Sequence, residues 1–273
     1  MPDWFYEYCW TPIREPKILL FTWEHLMLTG LVLLIGYGIL YYVFSYKSRL
    51  WNKKLLFVLA CVMIALEVFR IVWLTFMYHD YDFISFLKNV RFDWCNQICL
   101  VMPVLVLLKK EKTYDYLSPL AIIGGLGVLI YPVFVFYDYG GMHLLAVQSM
   151  ISHGLMVLIG FLMPLSSDYN PDIKKLWKPS AAVLGMAVVA CIMSHVLNVN
   201  YMLMLRADGI PLLSSIPNPW YFFILVPVVA GIIALVVYVM QKITEKIKPS
   251  FTDAEVLSQE AADALKTSGI KSE

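Results

Sequence analysis

Charge is what this sequence has least of. Asp, Glu, Lys and Arg make up 15% of 273 residues, where an ordinary soluble domain carries about 25%. Apolar residues reach 60%, so the chain reads as an integral membrane protein with one membrane domain. The net charge is only +1, which removes any case for nucleic-acid binding. Met1 to Pro16 has no short apolar core behind a basic start, so no cleavable signal peptide is expected. The five cysteines (Cys9, Cys61, Cys95, Cys99, Cys191) are scattered and form neither a zinc-finger nor a disulfide framework. Most read as small buried hydrophobes. No internal repeat is evident, which argues against an inverted-repeat transporter. No lysine lies between Trp220 and Met240, which disfavours a retinal Schiff base there.

What the chain has is long apolar runs. A span needs roughly 20 apolar residues. Seven segments qualify, at residues 19–44, 55–78, 92–108, 117–137, 143–165, 180–205 and 219–241. The third is short, opens on polar residues and is closed by Lys109, Lys110 and Lys112. The expected fold class is therefore all-α, a polytopic bundle of seven transmembrane helices.

Basic loop residues set orientation. Lys47, Arg49, Lys53, Lys54, then Lys109, Lys110, Lys112, then Lys174, Lys175, Lys178, then Lys242, Lys246 and Lys248 fall on one side. The other side has only Arg14, Lys17, Lys88, Arg91 and Arg206. This predicts an outside N-terminus and an inside C-terminus, which needs an odd number of spans. Three parts follow: an extracytoplasmic segment (1–18), the membrane domain (19–241) and a polar cytoplasmic tail (242–273). In the tail, Thr252-Asp253-Ala254-Glu255 has the pattern of a capping box before a short helix.

The polar residues inside the spans fall mostly in the outer half. They are His25, Glu67, Arg70, Cys95, Asn96, Gln97, His153, His195, Asn198 and Asn200. Polar groups in a bilayer are costly unless they pair or line a wet cavity, so one shared pocket is expected. Glu67 and Arg70 are spaced i, i+3 and can pair on one helix face. The commoner use of such a pair is structural; the sharper one is that Arg70 holds an anionic head group. Cys95 opens a span close to Arg91, a setting that activates thiols. His153, with Ser152 beside it, lies at a matching depth and makes a Cys–His pair thinkable. An inert membrane cysteine is the plainer reading of the residue type alone. His25, His153 and His195 at similar depth leave a catalytic zinc site open as an alternative, although no local His-x-x-x-His pattern supports it. Asn198-Val199-Asn200-Tyr201 reads as capping and interhelical bonding. Pro219 suits a helix start, and Trp220 and Tyr221 suit an aromatic belt.

Taken in order, His25, Glu67, Cys95, Ile151-Ser152-His153-Gly154, Asn198-Val199-Asn200-Tyr201-Met202 and Asn218-Pro219-Trp220-Tyr221 resemble the bacterial YwaF-type integral membrane proteins. These look related to animal transmembrane protein 164. The resemblance covers roughly residues 19–241. It implies a phospholipid acyltransferase acting through a cysteine and a histidine, here Cys95 and His153. One departure is visible. Bacterial members often carry a Pro-Leu-His-Leu-Cys type of sequence, and this chain reads Arg91-Phe92-Asp93-Trp94-Cys95.

The leading expectation is a lipid acyltransferase or acyl-ester hydrolase in a bacterial plasma membrane, with no cofactor or metal and with membrane lipids as substrate. Cys95 attacks the acyl ester and His153 handles the proton. Gln97, Asn198 and Asn200 are the candidates for the oxyanion. His25 orients base or substrate, and Arg70, paired with Glu67, faces lipid phosphate. Two alternatives stay open: a non-catalytic ligand binder or transporter using the same pocket, and a zinc-dependent hydrolase.

Overall fold

The computed structural model describes residues 3–10, 21–78, 81–132, 142–207 and 213–251. Over these residues the chain is all-helical. The main helices are α1 (Trp23–Tyr46), α2 (Arg49–Tyr78), α3 (Phe83–Val90), α4 (Trp94–Leu107), α5 (Tyr114–Ile130), α6 (Leu144–Ser166), α7 (Trp177–Leu197) and α8 (Phe222–Ile247). Six of the helical segments are long and apolar enough to cross a membrane singly. α3 and α4 pass that test only together, as a pair bent by 88°. The tail pattern at Thr252 lies outside the described residues.

The bend accounts for the short third segment. Asp82 starts α3 by accepting hydrogen bonds from the Ile84 and Ser85 N–H groups, the usual task of an N-cap carboxylate. Arg91 ends it at φ 62°, a backbone that side-chain-bearing residues rarely adopt. α4 then has 14 residues and is about 21 Å long. The bilayer's hydrocarbon core is about 30 Å thick, so α4 alone is too short to cross it. Other boundaries also move. The sixth segment stops as a helix at Leu197 because Asn198 turns left-handed at φ 53°, a conformation asparagine tolerates. The seventh runs on to Ile247. The far end of the expected fourth segment falls on residues that are not described.

α6 is the axis of the bundle. Two-thirds of its central stretch, 67%, is buried, and its neighbour α5 reaches 56%. α1 and α8 are each 11% buried and leave most of their apolar side chains to the bilayer. Lipid offers apolar surfaces no reason to leave it, so membrane helices associate through close backbone approach and polar bonds. The α5–α6 contact is built that way. A Cβ on Gly125 would come within 2.5 Å of the His153 carbonyl oxygen. The Ser118 hydroxyl donates to the Gly160 carbonyl at 2.7 Å. Elsewhere on α6, a Cβ on Gly154 would meet Val32 of α1 at 2.3 Å.

The basic loops gather at one end. Arg49 pairs with Asp168 at 2.6 Å, Lys53 with Glu111 at 3.6 Å, and Lys178 with Asp115. The Lys248 ammonium donates to the Tyr169 carbonyl at 2.8 Å. These contacts tie the α1–α2, α4–α5 and α6–α7 connections to the end of α8. Glu67 lies 18 residues along α2 from Arg49, about 27 Å away, and so belongs to the other half of the bundle.

Candidate active site

Three helices meet around one cavity of about 20 Å³ in that other half. α2 contributes Glu67 and Arg70, α4 contributes Cys95, Asn96 and Cys99, and α6 contributes Gln148, Ser149, Ser152 and His153. Each helix arrives there for a different reason. α2 presents Glu67 and Arg70 on one face by their i, i+3 spacing. The elbow before α4 sets its first turn at the cavity. α6 turns four polar residues inward at positions 148, 149, 152 and 153, one stripe of a 3.6-residue helix.

The Glu67–Arg70 pair forms as expected. Both Arg70 Nε and Nη2 donate to Glu67 Oε1, at 3.0 and 2.5 Å. Arg70 also donates through Nη1 to the Asn89 carbonyl and through Nη2 to the Val90 carbonyl, each at 2.9 Å. Those are the last carbonyls of α3, which lack helical partners and favour a cation. Arg70 thus clamps the α3–α4 elbow onto α2. The Asn96 amide completes the group by donating to Glu67 Oε1 at 3.5 Å.

His153 is held in a defined tautomer. Its Nδ1 lies 2.6 Å from the Ser149 carbonyl oxygen. A carbonyl only accepts, so Nδ1 carries the proton and Nε2 keeps its lone pair. Nε2 is buried and has no hydrogen-bond partner. His153 is thus a cavity-lining residue with a basic nitrogen that is buried and unpartnered.

Cys95 sits in the first turn of α4. The first backbone bond across the start of that helix is Gln97 N–H to Asp93 carbonyl, at 3.0 Å. The Cys95 and Asn96 N–H groups precede it and have no acceptor within the helix. The thiol donates to the Gly124 carbonyl at 3.6 Å. Cys95 and His153 share the cavity, and no hydrogen bond joins them in this state.

Four of the eight residues expected at the site, Glu67, Arg70, Cys95 and His153, lie on the cavity wall. His25, Gln97, Asn198 and Asn200 do not. His25 is bonded to the Leu129 carbonyl at 3.0 Å and to the Phe21 N–H at 3.2 Å, so it fastens α1 to α5. The Gln97 amide donates to the Phe92 and Met186 carbonyls at 2.7 and 3.1 Å, toward α7. Asn198 is the exposed end of α7. Asn200 Oδ1 accepts from the Leu205 and Arg206 N–H groups. His195 is exposed and bonds back to the Cys191 carbonyl, so the three membrane histidines are separate. Among the described residues no group of three His, Cys, Asp or Glu could hold a metal ion.

The asparagine motifs have a positioning use instead. Asp93 Oδ1 accepts from the Met202 N–H at 3.2 Å, and Asp93 Oδ2 accepts from Arg91 Nε at 3.1 Å. The Phe92 ring packs edge-on against the buried Tyr201. The Tyr221 hydroxyl donates to the Leu203 carbonyl, and the Asn218 amide donates to the Met204 and Leu205 carbonyls. The turn after α7 and the start of α8 thus brace the elbow that carries Cys95. Asp93 is part of that brace.

Sequence reasoning passed over Gln148 and Ser149. Their positions relative to Ser152 and His153 were the available signal, since residues three or four apart share a helix face.

No curated protein and no solved structure matches the chain. A family model, that of the TMEM164 family, matches residues 20–239. That range takes in every helix lining the cavity, and the chain belongs to the TMEM164 family.

Proposed function

We propose that the chain is a membrane lipid acyl-ester enzyme, an acyltransferase or hydrolase, that uses Cys95 as nucleophile and His153 as base. The observation that carries this reading is the state of His153. Its proton is fixed on Nδ1 by the Ser149 carbonyl, its basic Nε2 is buried and unpartnered, and the residue lines the cavity that also holds Cys95. Positioned bases of this kind contribute about 10²–10⁴-fold to rate.

In the first step Cys95 turns from the Gly124 carbonyl toward His153, gives up its proton to Nε2 and attacks the acyl carbonyl. The oxyanion is met by the first-turn N–H groups of α4 and by the Asn96 amide; these take the place given by sequence to Gln97, Asn198 and Asn200. His153 returns the proton to the leaving lysolipid oxygen, which leaves a thioester on Cys95. A hydroxyl acceptor, deprotonated by Nε2, then releases the acyl group and restores the thiol.

By the positive-inside rule the lysine-rich end faces the cytoplasm and the cavity lies toward the outer leaflet of a bacterial plasma membrane. The YwaF-type kinship belongs to this reading. The alternative of a non-catalytic anion binder draws little from Arg70, whose guanidinium already makes four hydrogen bonds to Glu67 and α3.

The test is phospholipid turnover by purified protein in vesicles. Cys95→Ser and His153→Ala are each expected to lower it by about 10²-fold or more. Full turnover by both variants would end the reading.

A further inference from the structure

We propose that residues 3–10 form a cap that closes the cavity to the water at its end of the bundle, so that the reactants are bilayer-dissolved esters and acceptors rather than water-soluble acyl donors. This rests on the Cys95–His153 reading for what the cavity does. How the cavity is reached stands on separate contacts.

The segment is a short helical turn, Asp3–Phe5, running into a π-helical one, Tyr6–Trp10. Its inward side carries Phe5 and Trp10. These two rings stack at 6.3 Å, and each meets the Trp73 ring edge-on, at 6.3 and 5.8 Å. Trp73 Nε1 donates to the Cys9 carbonyl at 2.9 Å, which uses the indole's only donor on the backbone of the segment. Trp10 and Trp73 pack on the buried Leu74 and Met77 of α2 and Leu145 of α6. The segment therefore bridges two of the three helices that line the cavity.

The bridge sits one turn beyond the cavity wall. Trp73 follows the cavity-lining Arg70 by three residues on α2, and Leu145 precedes the cavity-lining Gln148 by three on α6. Residues three apart are neighbours on a helix face, about 4.5 Å apart along the axis. α2 starts at Arg49, and α6 ends just before Asp168, its partner at the lysine-rich end. Both steps therefore lead away from that end, and the cap closes on the layer that Trp73 and Leu145 form. α4 meets the same end through its 88° bend into α3, whose last carbonyls Arg70 holds. The other side of the segment shows Trp4, Tyr6 and Tyr8, all exposed. Tryptophan and tyrosine settle at headgroup level, which keeps the cap at the membrane surface. A water-soluble acyl donor would have to displace it, whereas a phospholipid already lies in the bilayer beside the bundle.

The test reads access rather than turnover. The full chain is placed in phosphatidylcholine nanodiscs, where both membrane faces meet water. It is treated with a membrane-impermeant thiol reagent, a methanethiosulfonate carrying a quaternary ammonium group, and modification of Cys95 is followed by peptide mass spectrometry. Wild-type Cys95 is expected to react slowly. Trp10→Ala, which removes two ring contacts from the cap, should speed the reaction by about tenfold or more. Trp73→Phe, which keeps a ring and loses the bond to the Cys9 carbonyl, should speed it by about fivefold. Cys61, exposed on α2 and shielded by lipid, should stay unmodified, which shows that the variants keep their membrane fold. A thiol-reactive phospholipid analogue in the same discs should label Cys95 equally in wild type and variants. Unchanged reaction of Cys95 with the charged reagent in both variants, or acceleration only together with Cys61, would overturn the cap. Phospholipid labelling that rises in step with the charged reagent would overturn the bilayer route. Acceleration at Cys95 alone, with turnover indifferent to Cys95→Ser, would leave the cap standing and end the Cys–His reading.

Discussion

α6 and α8 are both membrane-crossing helices, yet they meet opposite surroundings. α8 is apolar from Phe222 to Met240 and its membrane stretch is 11% buried, while α6 carries Gln148, Ser149, Ser152, His153 and Gly154 and is 67% buried. In water the more apolar helix would lie at the centre. In a bilayer the apolar face has no reason to leave the lipid, and the centre belongs to helices whose small and polar residues satisfy one another. The candidate site lies on α6 for the same reason. It is the helix whose polar groups can be held away from lipid and given fixed partners.

Perturbations at the centre should therefore exceed those at the periphery or the loop ends. The largest is expected from Glu67→Ala, which strips the buried Arg70 of its carboxylate. Removing one partner of a buried pair costs about 3–5 kcal/mol, and thermal unfolding in detergent should show it as loss of most of the folded protein. Next comes Gly125→Ala on α5, whose new Cβ would meet the His153 carbonyl oxygen at 2.5 Å. A cost of about 1–3 kcal/mol is expected from overpacking, read as a lower melting temperature. Gly231→Ala on α8 sharpens the contrast, because nothing lies within 4 Å of its Cβ. Alanine's better helix propensity should leave stability unchanged or raise it by up to about 1 kcal/mol. Equal losses at Gly125 and Gly231 would erase the distinction between centre and rim.

The smallest effect is expected at the basic end. The Arg49 guanidinium holds the Asp168 carboxyl below the usual carboxylate range. A depressed folded value means that the stabilisation is present above the unfolded value of about 3.9 and fades as pH falls through the folded one. Asp168 is 92% exposed, so Asp168→Asn should shift stability by less than about 1 kcal/mol. The difference from wild type should vanish in acid and shrink in salt. A large loss at neutral pH would show that the loop pairs matter more than their exposure suggests.

Much of this architecture is legible in the sequence, because long apolar runs and lysine-rich loops are direct readings of the bilayer. The Glu67–Arg70 pair follows from spacing alone. Cys95 and His153 fall on one cavity because depth along a helix can be counted. The face of a helix is harder to read when the surroundings are apolar on all sides. Gln97 stands at the right depth, but two residues past Cys95 is about 200° around the helix, and its amide goes to α7. Asn198 and Asn200 read as intramembrane helix by hydropathy, whereas the left-handed turn at Asn198 ends α7 and makes them loop residues. The 88° elbow leaves only a short third segment as its trace. The brace of Asp93 to Met202 joins positions too far apart for any local pattern.

The central claim is that Cys95 and His153 act as one unit across the cavity. The most direct measurement is to treat purified folded protein with a thiol-reactive, lipid-like probe and map the modified residue. The account predicts labelling at Cys95 that is lost in His153→Ala while the melting temperature is kept. A Cys95 that stays unreactive in the folded wild type, or that labels equally well without His153, would contradict it.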